Sequence, residues 1–109
     1  MIIERTVCSL SEDYGLEEMV EDYQHEGKKN FALGKCMYSK AYSQFKKAAF
    51  YAERLPKTNE NKHLLATLYG NCSLIQMKKE NFRTCITDCD KALALEVYLV
   101  SCLYCIATI

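Results

Sequence analysis

The chain has 109 residues, 14 basic and 14 acidic side chains, a formal net charge of zero and an apolar or cysteine content of one half. That length supports one small domain, which buries about two thirds of its unfolded surface. The balanced charge leaves no electrostatic case for nucleic acid or a membrane surface as partner.

Residues 1–13 read as an N-terminal arm. Ile2, Ile3 and Val7 are interrupted by Glu4 and Arg5, too short and too broken a run for a signal peptide. Ser11 offers an N-cap, and Glu12 and Asp13 follow in a first turn that favours acids. The spacing of Leu16, Met19, Val20, Tyr23 and Gly27 predicts a helix over 14–33, either continuous or broken near Gly15 or Gly27. Its start is acidic, and the stretch from Lys28 to Lys47 is basic. Both charge runs read as solvated faces. Gly34 marks a turn. A second helix over 37–54 turns Tyr38, Ala41, Tyr42, Phe45, Ala48, Ala49 and Ala52 inward, and Pro56 stops it. Asn59 or Asn61 caps a third helix over 63–77, with Leu64, Leu65, Leu68, Tyr69 and Cys72 as its apolar stripe. Lys78, Lys79, Glu80 and Asn81 form a polar turn. Asn81 caps a fourth helix ending near Leu95, with Phe82, Ile86, Cys89, Ala92 and Leu93 on one face.

Tyr38, Ala41, Phe45 and Ala48 match Phe82, Cys85, Cys89 and Ala92 in order and type, each 44 positions on. Gly34 then stands where Lys78 stands in the second copy. A fixed period of this kind signals a repeat array. On these residues the sequence resembles the tetratricopeptide repeat family. That family's second-helix pattern, aromatic-x-x-small-x-x-x-aromatic-x-x-Ala, stands here as Tyr38, Ala41, Phe45 and Ala48, and recurs as Phe82, Cys85, Cys89 and Ala92. Its period is about 34 residues, and the surplus of about ten falls at 54–63, which looks like an inserted loop. Lys29 and Ser73 stand at the family's first-helix glycine, and the proline that usually closes each repeat is absent. The resemblance implies an all-α fold: two antiparallel helix-turn-helix hairpins stacked as a short right-handed α-solenoid, with a partial fifth helix at the C-terminus. The corresponding organisation is a repeat domain over 14–95, with repeat one at 17–54, repeat two at 62–95, and an apolar tail at 96–109.

The tail VYLVSCLYCIATI carries no charge and is shorter than the roughly 20 residues that span a bilayer. It stands where a third repeat or a solvating cap would begin. It is therefore read as an incomplete repeat or capping segment, as in a truncated form, and as a surface for self-association. The seven cysteines are odd in number, and reduced thiols are the expectation. Cys85 and Cys89 with Cys102 and Cys105 have the arithmetic of a four-cysteine zinc site. Cys85 and Cys89 also occupy the repeat's buried small and aromatic places, where cysteine behaves as a small hydrophobe. His25 and His63 fall on exposed surface, and no nucleophile-base order, P-loop or dinucleotide fingerprint is present. No enzyme activity and no cofactor are expected.

What remains is binding. Many members of the resembled family hold the acidic C-terminal tail of heat-shock chaperones in the groove lined by the first helix of each pair. They do so with a carboxylate clamp of lysine, arginine and asparagine side chains. Aligned without gaps on Ala41, Asn30 and Asn71 fall on the two clamp asparagines. Glu26, Ser101 and Cys105 stand where the basic residues would be. With Gly27 aligned on the family glycine instead, Lys28 takes the first asparagine's place and the turn gains two residues. Asn30 and Asn71 read equally as helix-surface or inter-helix hydrogen-bonding residues. The groove set is thus Asn30, Asn71 and, at the groove's end, Lys78. The expected function is a cytoplasmic peptide-binding module, a chaperone adaptor within the family. A zinc- or redox-responsive cysteine protein, or a truncated isoform without independent function, are the other readings.

Overall fold

The computed structural model describes residues 12–96. Four helices follow one another: α1 (Glu12–Ala32), α2 (Tyr38–Ala52), α3 (Asn59–Lys78) and α4 (Phe82–Leu95). A single 3-10 turn, Lys35–Met37, precedes α2. No strand occurs among the described residues. α1 packs on α2 and α3 on α4 as two antiparallel hairpins, and α2 packs on α3 to join them. The all-α architecture of stacked hairpins is the expected one. The arm over residues 1–11 and the tail over 97–109, including Ser11, Cys8, Cys102 and Cys105, lie outside the described residues.

The two hairpins follow one template. Tyr38 and Phe82, 44 positions apart, each open the second helix of a hairpin. Ala41, Phe45 and Ala48 are buried in the first, and Cys85, Cys89 and Ala92 in the second. The first helices, however, keep a different offset. α1 ends at Ala32 and α3 at Lys78, 46 positions apart. The two extra residues sit in the first turn, which runs through the 3-10 segment. Gly34 (φ 108°) therefore corresponds to Glu80 (φ 65°) and not to Lys78. Both have a positive φ two residues past the end of a helix. In the second copy the Glu80 amide donates to the Met77 carbonyl at 3.0 Å and the Asn81 amide to the Gln76 carbonyl at 2.8 Å, closing the last orphan carbonyls of α3.

The same offset identifies the close-approach position. A Cβ on Gly27 would sit 2.9 Å from the Phe45 ring, so only glycine lets α1 lie this close to α2. Its counterpart 46 positions on is Ser73, fully buried, whose hydroxyl donates to the Gly70 carbonyl at 2.7 Å. The gapless register, with Lys29 at this place, is corrected by the contact, because a lysine side chain there is exposed while Gly27 carries the packing.

Two further expectations change. α3 starts at Asn59 with Thr58 as its N-cap. The Thr58 hydroxyl accepts from the Asn61 amide at 3.1 Å, and the Asn61 side chain donates to the Pro56 carbonyl at 2.8 Å. Half of the surplus at 54–63 is thus helix, with the Asn61 amide bonded to the Thr58 hydroxyl one turn before the first leucines of α3. On α4 the buried face is Cys85, Asp88, Cys89 and Ala92, while Phe82 and Ile86 are 43 % and 39 % exposed. Ionic Asp88 takes the place that an apolar count alone assigns to Ile86.

A non-glycine left-handed residue costs about 1 kcal/mol. Glu80→Gly is therefore expected to raise unfolding stability by about 0.5–1 kcal/mol, and Gly34→Ala to lower it by a similar amount. Urea denaturation followed by helical circular dichroism checks both. A loss of stability in Glu80→Gly would contradict the assigned turn.

Candidate functional site

A cavity of about 130 Å³ opens where the hairpins meet. Lys28 and Phe31 of α1, Phe45 of α2, and Asn71, Leu74 and Ile75 of α3 line it. Helical spacing explains the set. Lys28 and Phe31 are three apart on α1, and Asn71, Leu74 and Ile75 are three and four apart on α3, so each helix presents one short stripe. Phe45, 3 % exposed, is the floor common to both hairpins. The result is an apolar pocket with one ammonium and one amide among its lining groups. That chemistry suits an apolar side chain lying beside a carboxylate. The Phe31 ring stacks on Tyr38 with centroids 5.1 Å apart, which fixes the α1 wall against the start of α2.

The predicted site residues separate. Asn71 lines the cavity with Lys28. Lys78 is exposed in the last turn of α3. Asn30 is buried at 5 % exposure, outside the cavity lining, and its side-chain nitrogen has no hydrogen-bond partner among the described residues. Asn30 and Gln76 correspond in the 46-residue offset, and both are buried polar groups. Gln76 is held by the Asn81 side chain, which donates to its Oε1 at 3.0 Å. A second cavity, about 250 Å³, lies at the other end of the molecule between the α2–α3 loop and the end of α4, with Leu55, Leu65 and Leu95 in its wall.

Behind the groove a polar seam joins the repeats. Asp88 of α4 is 1 % exposed. It accepts from the Tyr42 hydroxyl at 3.1 Å and from the Lys46 ammonium at 3.1 Å, both on α2. Burial alone would depress the Lys46 ammonium, but the Asp88 carboxylate outweighs it and the net shift is upward. Lys79 of the second turn donates to the Ser39 hydroxyl at 2.9 Å. Tyr69 of α3 donates to the Glu53 carboxylate, and its ring lies under Lys46 and Lys91 at 5.9 Å and 5.6 Å. Sequence reasoning placed Tyr42 in the core and missed Asp88. The available signal was its position three residues after Cys85 and four before Ala92, on the buried face.

The cysteines divide by exposure. Cys36 is exposed, while Cys72, Cys85 and Cys89 are fully buried. Burial pushes the Cys72 thiol up to about 12, with the nearby Asp88 carboxylate acting in the same direction. Among the described residues, no group of three or more histidine, cysteine or acidic side chains is placed to hold a metal. His63, on exposed surface, pairs with Glu96 at 2.7 Å. No helix among the described residues is long and apolar enough to cross a membrane.

Two outcomes follow from the buried thiol. A maleimide at neutral pH should label Cys36 rapidly and leave Cys72 unlabelled in the folded chain, as peptide mapping by mass spectrometry will read. The folded state keeps a Cys72 proton that the unfolded chain releases above pH 9.0, so this contribution to stability is present below that pH and is lost as pH rises towards 12. Urea midpoints should therefore fall above pH 9, and fall less steeply in Cys72→Ala.

No family model matches the sequence. Two curated relatives do. Sperm-associated antigen 1 of Rattus norvegicus is 32 % identical over 102 residues, covering 89 % of this chain and 11 % of the relative. The Hsp70/Hsp90 co-chaperone CNS1 of Saccharomyces cerevisiae is 34 % identical over 85 residues, covering 77 % of this chain and 22 % of the relative. The chain thus spans about a tenth to a fifth of their lengths. Among solved structures, the Hsp90 co-chaperone Cns1 from Saccharomyces cerevisiae superposes with a TM-score of 0.68 at 22 % identity, over 83 % of this chain and 26 % of that one. Two hairpins on one template, with Tyr38, Ala41, Phe45 and Ala48 answered in register by Phe82, Cys85, Cys89 and Ala92, and this similarity in sequence and fold to the co-chaperone Cns1, place the chain in the tetratricopeptide repeat family.

Proposed function

We propose that the groove between the hairpins binds an extended peptide or C-terminal tail carrying an acidic group, and that the chain is a cytoplasmic, non-enzymatic adaptor for Hsp70- or Hsp90-class chaperones. The observation that carries this reading is the apolar cavity with Lys28 and Asn71 among its lining residues, drawn from both hairpins. A carboxylate placed there gains an ion pair with Lys28 and a charge-assisted hydrogen bond from the Asn71 amide, and a neighbouring aliphatic side chain fills the space over Phe45. The relative named as an Hsp70/Hsp90 co-chaperone supports the choice of partner.

The sequence-predicted groove residues take different parts in this proposal. Asn71 contacts the ligand directly. Lys78, exposed beyond the end of the cavity, supplies charge to an acidic residue further along the peptide. Asn30 is buried behind the α1 wall, and its amide reaches a ligand only if that wall moves. Lys28 occupies the first clamp place in the register that Gly27 sets.

Titration calorimetry with a peptide ending Glu-Glu-Val-Asp tests the proposal. Binding should weaken with added salt and on amidation of the terminal carboxylate. Lys28→Ala and Asn71→Ala should each cost on the order of tenfold in affinity, about 1.4 kcal/mol. No heat at millimolar peptide, together with unchanged amide shifts at Lys28 and Asn71, would discard the chaperone-tail reading.

A further inference from the structure

We propose that Asp88 is a positioning residue for the groove: by tying α4 to α2 it fixes the rotation of the second hairpin on the first, and with it the gap between Lys28 and Asn71. The proposal rests on the groove reading for its effect on ligand, but its geometric part stands without any ligand.

Ser39, Tyr42 and Lys46 recur at steps of three and four and so form one stripe along α2. All three reach the second repeat: Ser39 receives Lys79, and Tyr42 and Lys46 both donate to Asp88. The Tyr42 hydroxyl also faces Gln76 of α3. Gln76 is in turn bonded to Asn81 in the α3–α4 turn. One hydroxyl thus sits where α2, α3 and α4 converge. Phe45, the cavity floor, lies between Tyr42 and Lys46 in the same turn of α2. A rotation that broke the Asp88 bonds would carry Asn71, Leu74 and Ile75 past Phe45 and change the cavity.

Small side chains make such an anchor necessary. The buried faces of α2 and α4 are built largely of Ala41, Ala48, Ala52, Cys85, Cys89 and Ala92. Short side chains interlock weakly, so packing alone permits several crossing angles of similar energy. Directional bonds to a buried carboxylate select one of them. A charge at 1 % exposure is expensive to bury and adds little net stability, and fixing geometry is the use to which such a group is suited.

The test is a variant that removes the polar bonds and keeps the volume, Tyr42→Phe/Lys46→Met/Asp88→Leu. Apolar replacement of a buried ion pair is commonly neutral or stabilising, so its urea midpoint should equal or exceed that of the native chain. Backbone residual dipolar couplings, recorded without ligand, give the orientation of the hairpins. Each hairpin should still fit its own coordinates, while the two together should no longer fit as one rigid body. Asp88→Asn, which keeps shape and loses charge, gives the same readout should the triple variant fail to fold. In calorimetry with the peptide ending Glu-Glu-Val-Asp, the variant should bind at least about tenfold more weakly at unchanged stability. Couplings that fit the native orientation as one body would overturn the proposal, whatever the peptide does. A native chain that ignores the peptide would instead sink the groove reading, and the couplings would still decide the role of Asp88.

Discussion

A buried carboxylate ties the two hairpins of this small array in one orientation. Asp88 sits on the inner face of the last described helix, where the first repeat has Gln44, and accepts from two side chains of the neighbouring hairpin. A desolvated carboxylate without partners costs several kcal/mol, so the second hairpin is stable in this form only when α2 supplies Tyr42 and Lys46. The lysine keeps about a third of its side chain in solvent, which limits its own desolvation cost while the acid bears most of it. Repeat arrays gain stability from nearest-neighbour interfaces.

That constraint explains the position of the groove. α1 approaches α2 closely because Gly27 leaves room for the Phe45 ring. Phe45 then lies at the junction of the hairpins, with Lys28 and Phe31 on one side and Asn71, Leu74 and Ile75 on the other. The front of the junction is an open apolar pocket with polar groups among its walls, and the back is the seam through Asp88.

Much of the fold was legible in the residues. The pattern Tyr38, Ala41, Phe45, Ala48 recurred 44 positions on as Phe82, Cys85, Cys89, Ala92, all but Tyr38 and Phe82 buried. The first helices were harder to align. Two extra residues in the turn before α2 shifted the register between copies. Tyr23 with Tyr69, and Gly27 with Ser73, carried the 46-residue offset, but a period fitted to the second helices alone hid it. The consequence fell on the site: Asn30 reads as a groove residue in one register and is buried in the structure, whereas Lys28 lines the cavity. Asp88 was hidden by its charge, since an aspartate on a helix normally faces water. The cap at Thr58 was missed for a simpler reason: two asparagines lay closer to the first apolar residues of α3.

The account depends on Lys46, Tyr42 and Asp88 forming one energetic unit across the two repeats. A double-mutant cycle on Lys46→Met and Asp88→Asn, read by urea denaturation of the full chain, measures this directly. The account predicts a coupling energy of about 1 kcal/mol or more, because each single change leaves the other group's partner unsatisfied. Strict additivity, with the two changes summing to within about 0.3 kcal/mol, would mean that the hairpins stack without this bond and would contradict it.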